Sequence, residues 1–268
     1  MAILGVSIFW REEISRLLSF EVPEEVISEP KKELPDVPPS PPQVIAPPLN
    51  SGKEVGKVSP VPPIATVPSF SGRDPAEVRP VEEEVKLFTE EQKTRLYANI
   101  DSLGRTVKTN STFFDGWIQV GLLKKIIGDF EGARDAWEYA GIIQPKNSLS
   151  FSNLGELYWR YLHEYIKSET NFRISIKHKP EDMQNYVSLA ELYHYSFKEK
   201  AGLADDVLLE GLQNNPGDGT LMRRLAYLYE QRGEWASALS WWEKVLASAP
   251  DDEEVKNKIN RAKSKLGG

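Results

Sequence analysis

Cysteine is absent from the 268-residue sequence, and only three histidines occur in it. Without cysteine, the chain has no disulfide bond, no thiol nucleophile and no zinc site with cysteine ligands. The histidines form no metal-binding spacing such as HExxH, and the sequence has no glycine-rich phosphate-binding loop. We therefore expect no metal ion and no cofactor, and nothing in the motifs points to an enzyme.

An excess of basic residues is also missing. The sequence has 33 lysines and arginines against 40 aspartates and glutamates, so its formal net charge is −7. Proteins that bind nucleic acid generally hold the phosphates with a basic surface. The charge balance argues against such binding, and we expect no nucleic-acid partner.

Long hydrophobic runs are lacking as well. The apolar run at residues 2–10 is much shorter than the roughly 20 residues of a membrane-spanning helix, and it has neither the basic start nor the cleavage site of a signal peptide. Within residues 1–20 it is followed by apolar Ile14, Leu17 and Leu18. Three interpretations stay open: an amphipathic segment that docks on a partner, a membrane anchor or part of one, or a segment that packs on the repeats.

Proline is plentiful, but it is unevenly placed. Of the 19 prolines, 14 lie between Pro30 and Pro80. Proline fixes φ and has no backbone N–H, so neither a helix nor a central strand is expected there. Residues 21–88 are predicted to be a disordered, extended linker, which would join residues 1–20 to a folded domain at 89–268.

The remaining prolines reveal a repeat. Pro145, Pro180, Pro216 and Pro250 are spaced 35, 36 and 34 residues apart. Self-similarity at a fixed period of this size is typical of stacked repeat arrays. We predict four units, each with two helices and a turn, at residues 113–146, 147–181, 182–217 and 218–250.

The first helices of these units share an order of residue types. A large residue comes first, an aliphatic one follows three residues later, and a small one is next. The large residues are Trp117, Phe151, Tyr186 and Met222, and the small ones are Gly121, Gly155, Ala190 and Ala226. A small side chain at this position lets the second helix approach closely.

The second helices also share a pattern. Each has a small residue and a large one four positions later, and residues four apart lie on one helix face. These pairs are Ala133 and Trp137, Ser168 and Phe172, Ala204 and Leu208, and Ala238 and Trp242. Gly128 and Gly233 are predicted to end the first helices of the outer repeats, since glycine tolerates positive φ.

This pattern resembles the tetratricopeptide repeat (TPR) family, most clearly over residues 114–145 and 218–250. The resemblance implies an all-α solenoid of about four helix-turn-helix repeats. The middle repeats depart from the pattern, because each has extra residues between the two helices and the third lacks a clear turn glycine. We expect longer turns there.

A terminal helix is predicted at each end of the array; the N-terminal one is either a cap or the second half of a degenerate repeat. Residues 89–92, TEEQ, fit a capping box and precede an apolar stripe of Leu96, Ile100, Leu103 and Val107. At the other end, residues 251–266 have a narrow apolar stripe and an otherwise polar surface, as the last helix of a solenoid requires. That stripe consists of Val255, Ile259, Ala262 and Leu266.

The resemblance also implies where a partner binds. TPR arrays use a concave face lined mainly by the first helices, so we predict that a protein or peptide binds at first-helix positions not used for packing. These are Ile118, Leu122, Lys125, Asn153, Glu156, Trp159, Val187, Glu191, His194, Arg223, Tyr227 and Glu230. Trp159 has an alternative role as a cover for a neighbouring repeat. The carboxylate clamp of one TPR subclass is rejected, because only Asn153 fits its pattern.

Two other functions compete with a plain interaction scaffold. In the first, residues 1–20 associate with a membrane and residues 21–88 space the repeats from it, as in a tethered assembly factor. In the second, Glu156 and Glu191, at equivalent positions of adjacent repeats, form a catalytic carboxylate pair. Charged lining of a groove is the simpler explanation for these two residues.

Overall fold

The computed structural model describes residues 67–267. The predicted segment 1–20 and most of the predicted linker lie outside the described residues. Eleven α-helices are present in the described range. They are α1 (Glu82–Val85), α2 (Glu90–Thr109), α3 (Phe114–Ile126), α4 (Phe130–Ile143), α5 (Ser148–Arg160), α6 (Tyr165–His178), α7 (Met183–Glu191), α8 (Ala204–Asn214), α9 (Gly219–Arg232), α10 (Trp235–Ser248) and α11 (Glu253–Gly267).

Helices α3 to α10 form four consecutive hairpins, and each hairpin packs on the next. Helix α2 packs against α3 at one end, and α11 packs against α10 at the other. No strand occurs in the part of the chain that the structure describes. The predicted all-α array of four helix pairs with a helix at each end is confirmed.

Small residues let the two helices of a pair approach closely. A Cβ atom added to Gly121 would lie 2.3 Å from Nε1 of Trp137, and one added to Gly155 would lie 2.7 Å from the ring of Phe172. The Trp137 indole N–H donates a hydrogen bond to the carbonyl oxygen of Ile118 at 2.9 Å. The predicted contact between the small and large positions is therefore present in these repeats.

The turns differ between regular and irregular repeats. Gly128 and Gly233 adopt positive φ, 83° and 73°, as predicted for the outer repeats. In the third repeat, α7 ends at Glu191 and continues as a π-helical turn, Leu192–Ser196, followed by a 3₁₀ helix, Lys198–Leu203. These two elements accommodate the extra residues that the sequence places between the helices of this repeat.

Both capping helices are present. The Thr89 hydroxyl accepts a hydrogen bond from the Gln92 N–H, and the Gln92 side chain accepts one from the Thr89 N–H. All four stripe residues of α2 are buried, and so are Val255, Ile259 and Ala262 of α11. Leu266 was expected in the same stripe but is 50% exposed. It lies in the last turn of α11, and within the described residues no element follows that could cover it.

The predicted end of the linker at residue 88 is corrected by the structure. Residues 67–81, which we call the N-terminal strap, pack along the first repeat. The Phe70 ring lies 4.5 Å from the Trp117 ring and 5.3 Å from the Tyr139 ring, between centroids. The Tyr139 hydroxyl donates to the carbonyl oxygen of Pro68 at 2.9 Å. Proline prevents a helix here, but an extended segment still buries aromatic surface.

A buried ion pair joins the strap to the first repeat. Lys124 and Asp129 are both 1% exposed in their side chains and lie 2.9 Å apart. The Lys124 ammonium also donates to the carbonyl oxygen of Glu77 in the strap at 2.8 Å. Asp129 accepts from the Gly132 N–H and from the guanidinium of Arg73, a strap residue. Each buried charge thus has several partners, as buried charges require.

Candidate partner-binding surface

The predicted partner-binding residues lie on α3, α5, α7 and α9 and on the π-helical turn, but three of them are buried. Trp159 is 6% exposed, and its indole N–H donates to the Ser196 hydroxyl at 2.8 Å. Val187 is 1% exposed, and Glu230 is 8% exposed. Neighbouring elements cover them: the π-helical turn covers Trp159, and α11 covers Glu230 through Lys258 at 3.1 Å. Trp159 thus packs on the neighbouring repeat, which is the alternative role predicted for it, and Val187 and Glu230 are used for packing, contrary to prediction.

Four of the other predicted residues lie outside the groups described below. Ile118 and Leu122 are half-buried and pack in the core of the first two repeats. Asn153 is half-buried on α5. Arg223 turns toward α11, where its guanidinium donates to the carboxylate of Asp252 at 2.7 Å.

Charged side chains form a ladder across the first helices of all four repeats. Lys125 on α3 lies 3.9 Å from the carboxylate of Glu156 on α5. Arg160 lies 3.6 Å from Glu156 and 3.9 Å from Glu191 on α7, and Arg224 on α9 lies 3.0 Å from Glu191. We call these five residues the charge ladder. Three of them were predicted, whereas Arg160 and Arg224 were missed.

The two missed arginines differ in how readily a sequence reveals them. Arg160 follows Glu156 by four residues, and such a spacing favours an ion pair on a helix face. Arg224 is adjacent to the predicted Arg223, so the error is one position in helix register. Nothing in the local sequence distinguishes Arg223 from Arg224, because the helices around α9 decide which of them faces the ladder.

An apolar cleft lies beside the ladder, between the third and fourth repeats. Its volume is about 340 Å³, including space open to solvent. Tyr195 and Tyr227 line it and are 53% and 41% exposed. The lining residues are Val187, Ala190, Glu191, His194, Tyr195, Leu208, Arg224, Tyr227 and Leu228. Four predicted residues meet here, and Tyr195 was missed because it belongs to the π-helical turn.

Burial shifts the pKa values of two cleft side chains. Burial lowers the pKa of His194 below its usual 6.5, and the positive charges of Arg232 and Lys198 add to this effect. Burial raises the pKa of the Tyr195 hydroxyl, and the charge of Glu191 adds to that shift. Both groups are therefore uncharged near neutral pH, and the acidic and basic residues that line the cleft are Glu191 and Arg224.

Metal-binding groups and membrane-spanning helices are both absent from residues 67–267. In that range, no group of three or more His, Cys, Asp or Glu side chains could hold a metal ion. The same range contains no helix that is both long and apolar enough to cross a bilayer.

Solved structures similar to this one include proteins described as TPR proteins. MamA is 14% identical, with a TM-score of 0.50, over 62% of this chain and 95% of its own. YrrB, a TPR protein with an unusual peptide-binding site, is 14% identical, with a TM-score of 0.46, over 62% and 84%. TTC0263, a thermophilic TPR protein in Thermus thermophilus, is 15% identical, with a TM-score of 0.43, over 68% and 95%.

At these identities the likeness concerns the fold alone. No protein-family model matches the sequence, and no curated protein matches it. The four helix pairs, the small-to-large contacts within pairs and the capping helices define a TPR-type fold. What the protein binds must be argued from its own surface.

Proposed function

We propose that the protein is a non-catalytic interaction module and that a protein or peptide partner binds in the cleft between its third and fourth repeats. The supporting observation is the pair of half-exposed tyrosines, Tyr195 and Tyr227, above an apolar floor beside Arg224. Tyrosine and arginine are enriched among the residues that dominate binding energy at interfaces.

The ladder carboxylates fit binding better than catalysis. A catalytic carboxylate pair needs one acid and one base with separated pKa values. Glu156 lies between Lys125 and Arg160, and Glu191 lies between Arg160 and Arg224. Each carboxylate thus lies between two cations, so the contacts of the two residues are alike and do not divide them into an acid and a base. A charged rim that orients a partner is the function these residues favour.

Crosslinking and mass spectrometry in the protein's own cells test this proposal. The double variant Tyr195→Ala/Tyr227→Ala should reduce partner crosslinks at least about thirtyfold, because loss of even one hot-spot side chain typically costs about 2 kcal/mol or more. The matched control is Ile142→Ala/Ile166→Ala, which removes two exposed apolar side chains from second helices, 48% and 72% exposed. Both variants should keep the helicity of the parent. Equal capture by the two variants would contradict the cleft assignment.

We also propose that residues 1–20 associate with a membrane and that the proline-rich stretch spaces the repeats from it. The apolar run at 2–10, directly followed by charged and proline-rich sequence, supports this arrangement. Fractionation of cells that express the full chain or a chain without residues 1–20 tests it. The full chain should sediment with membranes and the shortened chain should not. Full-length protein found only in the supernatant would remove the tether.

A further inference from the structure

Two arginines are only partly engaged: Arg224, which lines the cleft, and Arg160, which lies 3.9 Å from the cleft residue Glu191. Arg160 stacks on the Trp159 ring at 4.0 Å and reaches Glu156 and Glu191 at 3.6 and 3.9 Å, beyond hydrogen-bond distance. Arg224 contacts Glu191 through one nitrogen at 3.0 Å. Their side chains are 47% and 50% exposed. A guanidinium offers five N–H donors, so each arginine can still bind a carboxylate with its open edge.

The charge around the cleft favours an acidic occupant. Arg160 and Arg224 surround Glu191, which leaves this part of the ladder with a net positive charge in a chain whose net charge is −7. The aliphatic side chains of Val187 and Leu228 line the same cleft as Arg224. The complementary ligand is therefore a short segment with carboxylates and small aliphatic side chains, free of basic residues.

The chain itself contains such a segment outside the described residues. Residues 21–27 read Glu-Val-Pro-Glu-Glu-Val-Ile, with three carboxylates, three aliphatic side chains and no basic residue. Pro23 restricts the backbone of the free segment, which lowers the entropy lost on docking. We propose that residues 21–27 dock in this cleft within the same molecule while no partner occupies it, with the glutamates on Arg160 and Arg224. In that state residues 1–20 are held close to the repeats, and residues 21–66 act as a spacer only after a partner displaces the segment. This inference rests on the proposed function, because it uses the same cleft.

The intervening chain is long enough for this contact. Residues 28–66 can reach on the order of 120 Å at about 3.1 Å per residue in an extended, proline-rich chain. The strap holds the chain on α4 through the bond between Tyr139 and Pro68. Five helix-to-helix steps separate α4 from α9, and at about 8–10 Å each they amount to roughly 50 Å or less. The tether therefore spans the array with length to spare.

Tethering makes a weak contact effective. A flexible linker raises the local concentration of an attached ligand to as much as the order of 1 mM. A segment with a dissociation constant of about 0.1 mM would then occupy the cleft most of the time. A partner for the same cleft must displace residues 21–27. The segment therefore acts as an internal competitor and lowers the apparent affinity of the protein for that partner.

Photo-crosslinking in the full-length chain tests the proposal. A benzophenone amino acid replaces Val26, and the same replacement at Val37, another valine near proline in the same stretch, is the control. We expect intramolecular crosslinks from position 26 to peptides containing Val187, Tyr195 or Leu228, about tenfold above those from position 37. Yields that do not depend on protein concentration show that the contact lies within one molecule.

Charge variants make the test specific. Glu24→Gln/Glu25→Gln and Arg160→Gln/Arg224→Gln should each lower the crosslink yield about tenfold, as expected for the loss of charge-assisted hydrogen bonds. Arg105→Gln, at a 74% exposed side chain on α2, should leave it unchanged. Crosslinks that are scattered, concentration-dependent or directed to another protein would overturn docking in cis. Partner capture that still depends on Tyr195 and Tyr227 would show that the proposed function survives such a failure.

Discussion

The two ends of the array are closed by different means. At the C-terminal end, α11 continues the helical stacking and turns a polar face to solvent. The ion pair between Arg223 and Asp252, just before α11, is partly exposed, and Lys258 of α11 pairs with the largely buried Glu230 at 3.1 Å. At the N-terminal end, an irregular strap lies over the first repeat and encloses the pair of Lys124 and Asp129 almost completely. A helix pairs most of its backbone N–H and C=O groups internally, so it needs only an apolar stripe to pack on the array. An irregular strap has no such internal hydrogen bonds, so its buried backbone groups need partners on other elements, such as the side chain of Lys124.

The backbone of the strap lies very close to the helix beneath it. A Cβ atom added to Gly104 on α2 would come within 2.3 Å of the Ala76 backbone. The Val81 N–H donates to the carbonyl oxygen of Ile127 at 2.7 Å, which fixes the strap at its other end. The strap is thus part of the folded domain, and the ends should respond differently to truncation and to the loss of an ion pair.

The largest effect is expected from removing the strap and α1. A chain that starts at residue 89 exposes Trp117 and Tyr139, and it takes away the Glu77 carbonyl that binds Lys124 and the Arg73 guanidinium that binds Asp129. We expect the first repeat to lose its fixed structure, with a fall in melting temperature of more than about 10 °C. Circular dichroism and hydrogen exchange over 114–143 measure this effect. A chain that starts at residue 67 is the control, and equal melting of the two chains would show that the strap is only a surface attachment.

The buried pair should be the next most sensitive feature. Asp129→Ala leaves the Lys124 ammonium buried without its carboxylate, which typically costs about 3–5 kcal/mol. The variant also removes the N-cap of α4. Asp182→Ala isolates that second effect, because Asp182 caps α7 without a buried cation and should cost only about 1 kcal/mol. Urea unfolding compares the two, and similar losses would contradict the importance of the buried pair.

The exposed pair at the other end should have the smallest effect. Arg223→Ala is expected to change the melting temperature by less than about 2 °C, since exposed ion pairs contribute little. Arg223 lowers the pKa of the Asp252 carboxyl below its usual 3.8. The contribution of this ion pair to folding stability is therefore present above pH 3.8 and is lost as the pH falls through the lowered pKa. An NMR titration of Asp252 should show its pKa rising in the variant. If the melting temperature of Arg223→Ala fell as far as that of Asp129→Ala, the two ion pairs would contribute equally to stability, which would contradict the expected difference between the two ends.

Periodic features of the fold could be predicted from the sequence because they depend on local spacing. The proline period marks the ends of the repeats, and glycine at positions 121 and 155 marks the close helix contacts, since a methyl group there would collide with Trp137 and Phe172. The capping box at Thr89 depends on four consecutive residues. Each of these features is a relation between nearby residues on one or two adjacent helices.

The candidate site could be predicted only in part. First-helix positions are a sound guide to the surface, and Glu191, His194 and Tyr227 do line the cleft. Whether a first-helix residue is exposed depends on what the next repeat places over it, as the burial of Trp159 beneath Ser196 illustrates. The choice between Arg223 and Arg224 likewise depends on the positions of α7 and α11, which lie far away in sequence.

The sequence by itself determined the all-α repeat architecture, because helix period, turn glycines and small-to-large contacts are encoded at short range. Only the tertiary structure decided that residues 67–88 belong to the folded domain. Their proline content rules out a helix over most of that stretch, but it says nothing about whether an extended chain finds a surface to cover. That surface is assembled by α2, α3 and α4 together, and the cleft beside Arg224 arises in the same way from helices of two different repeats.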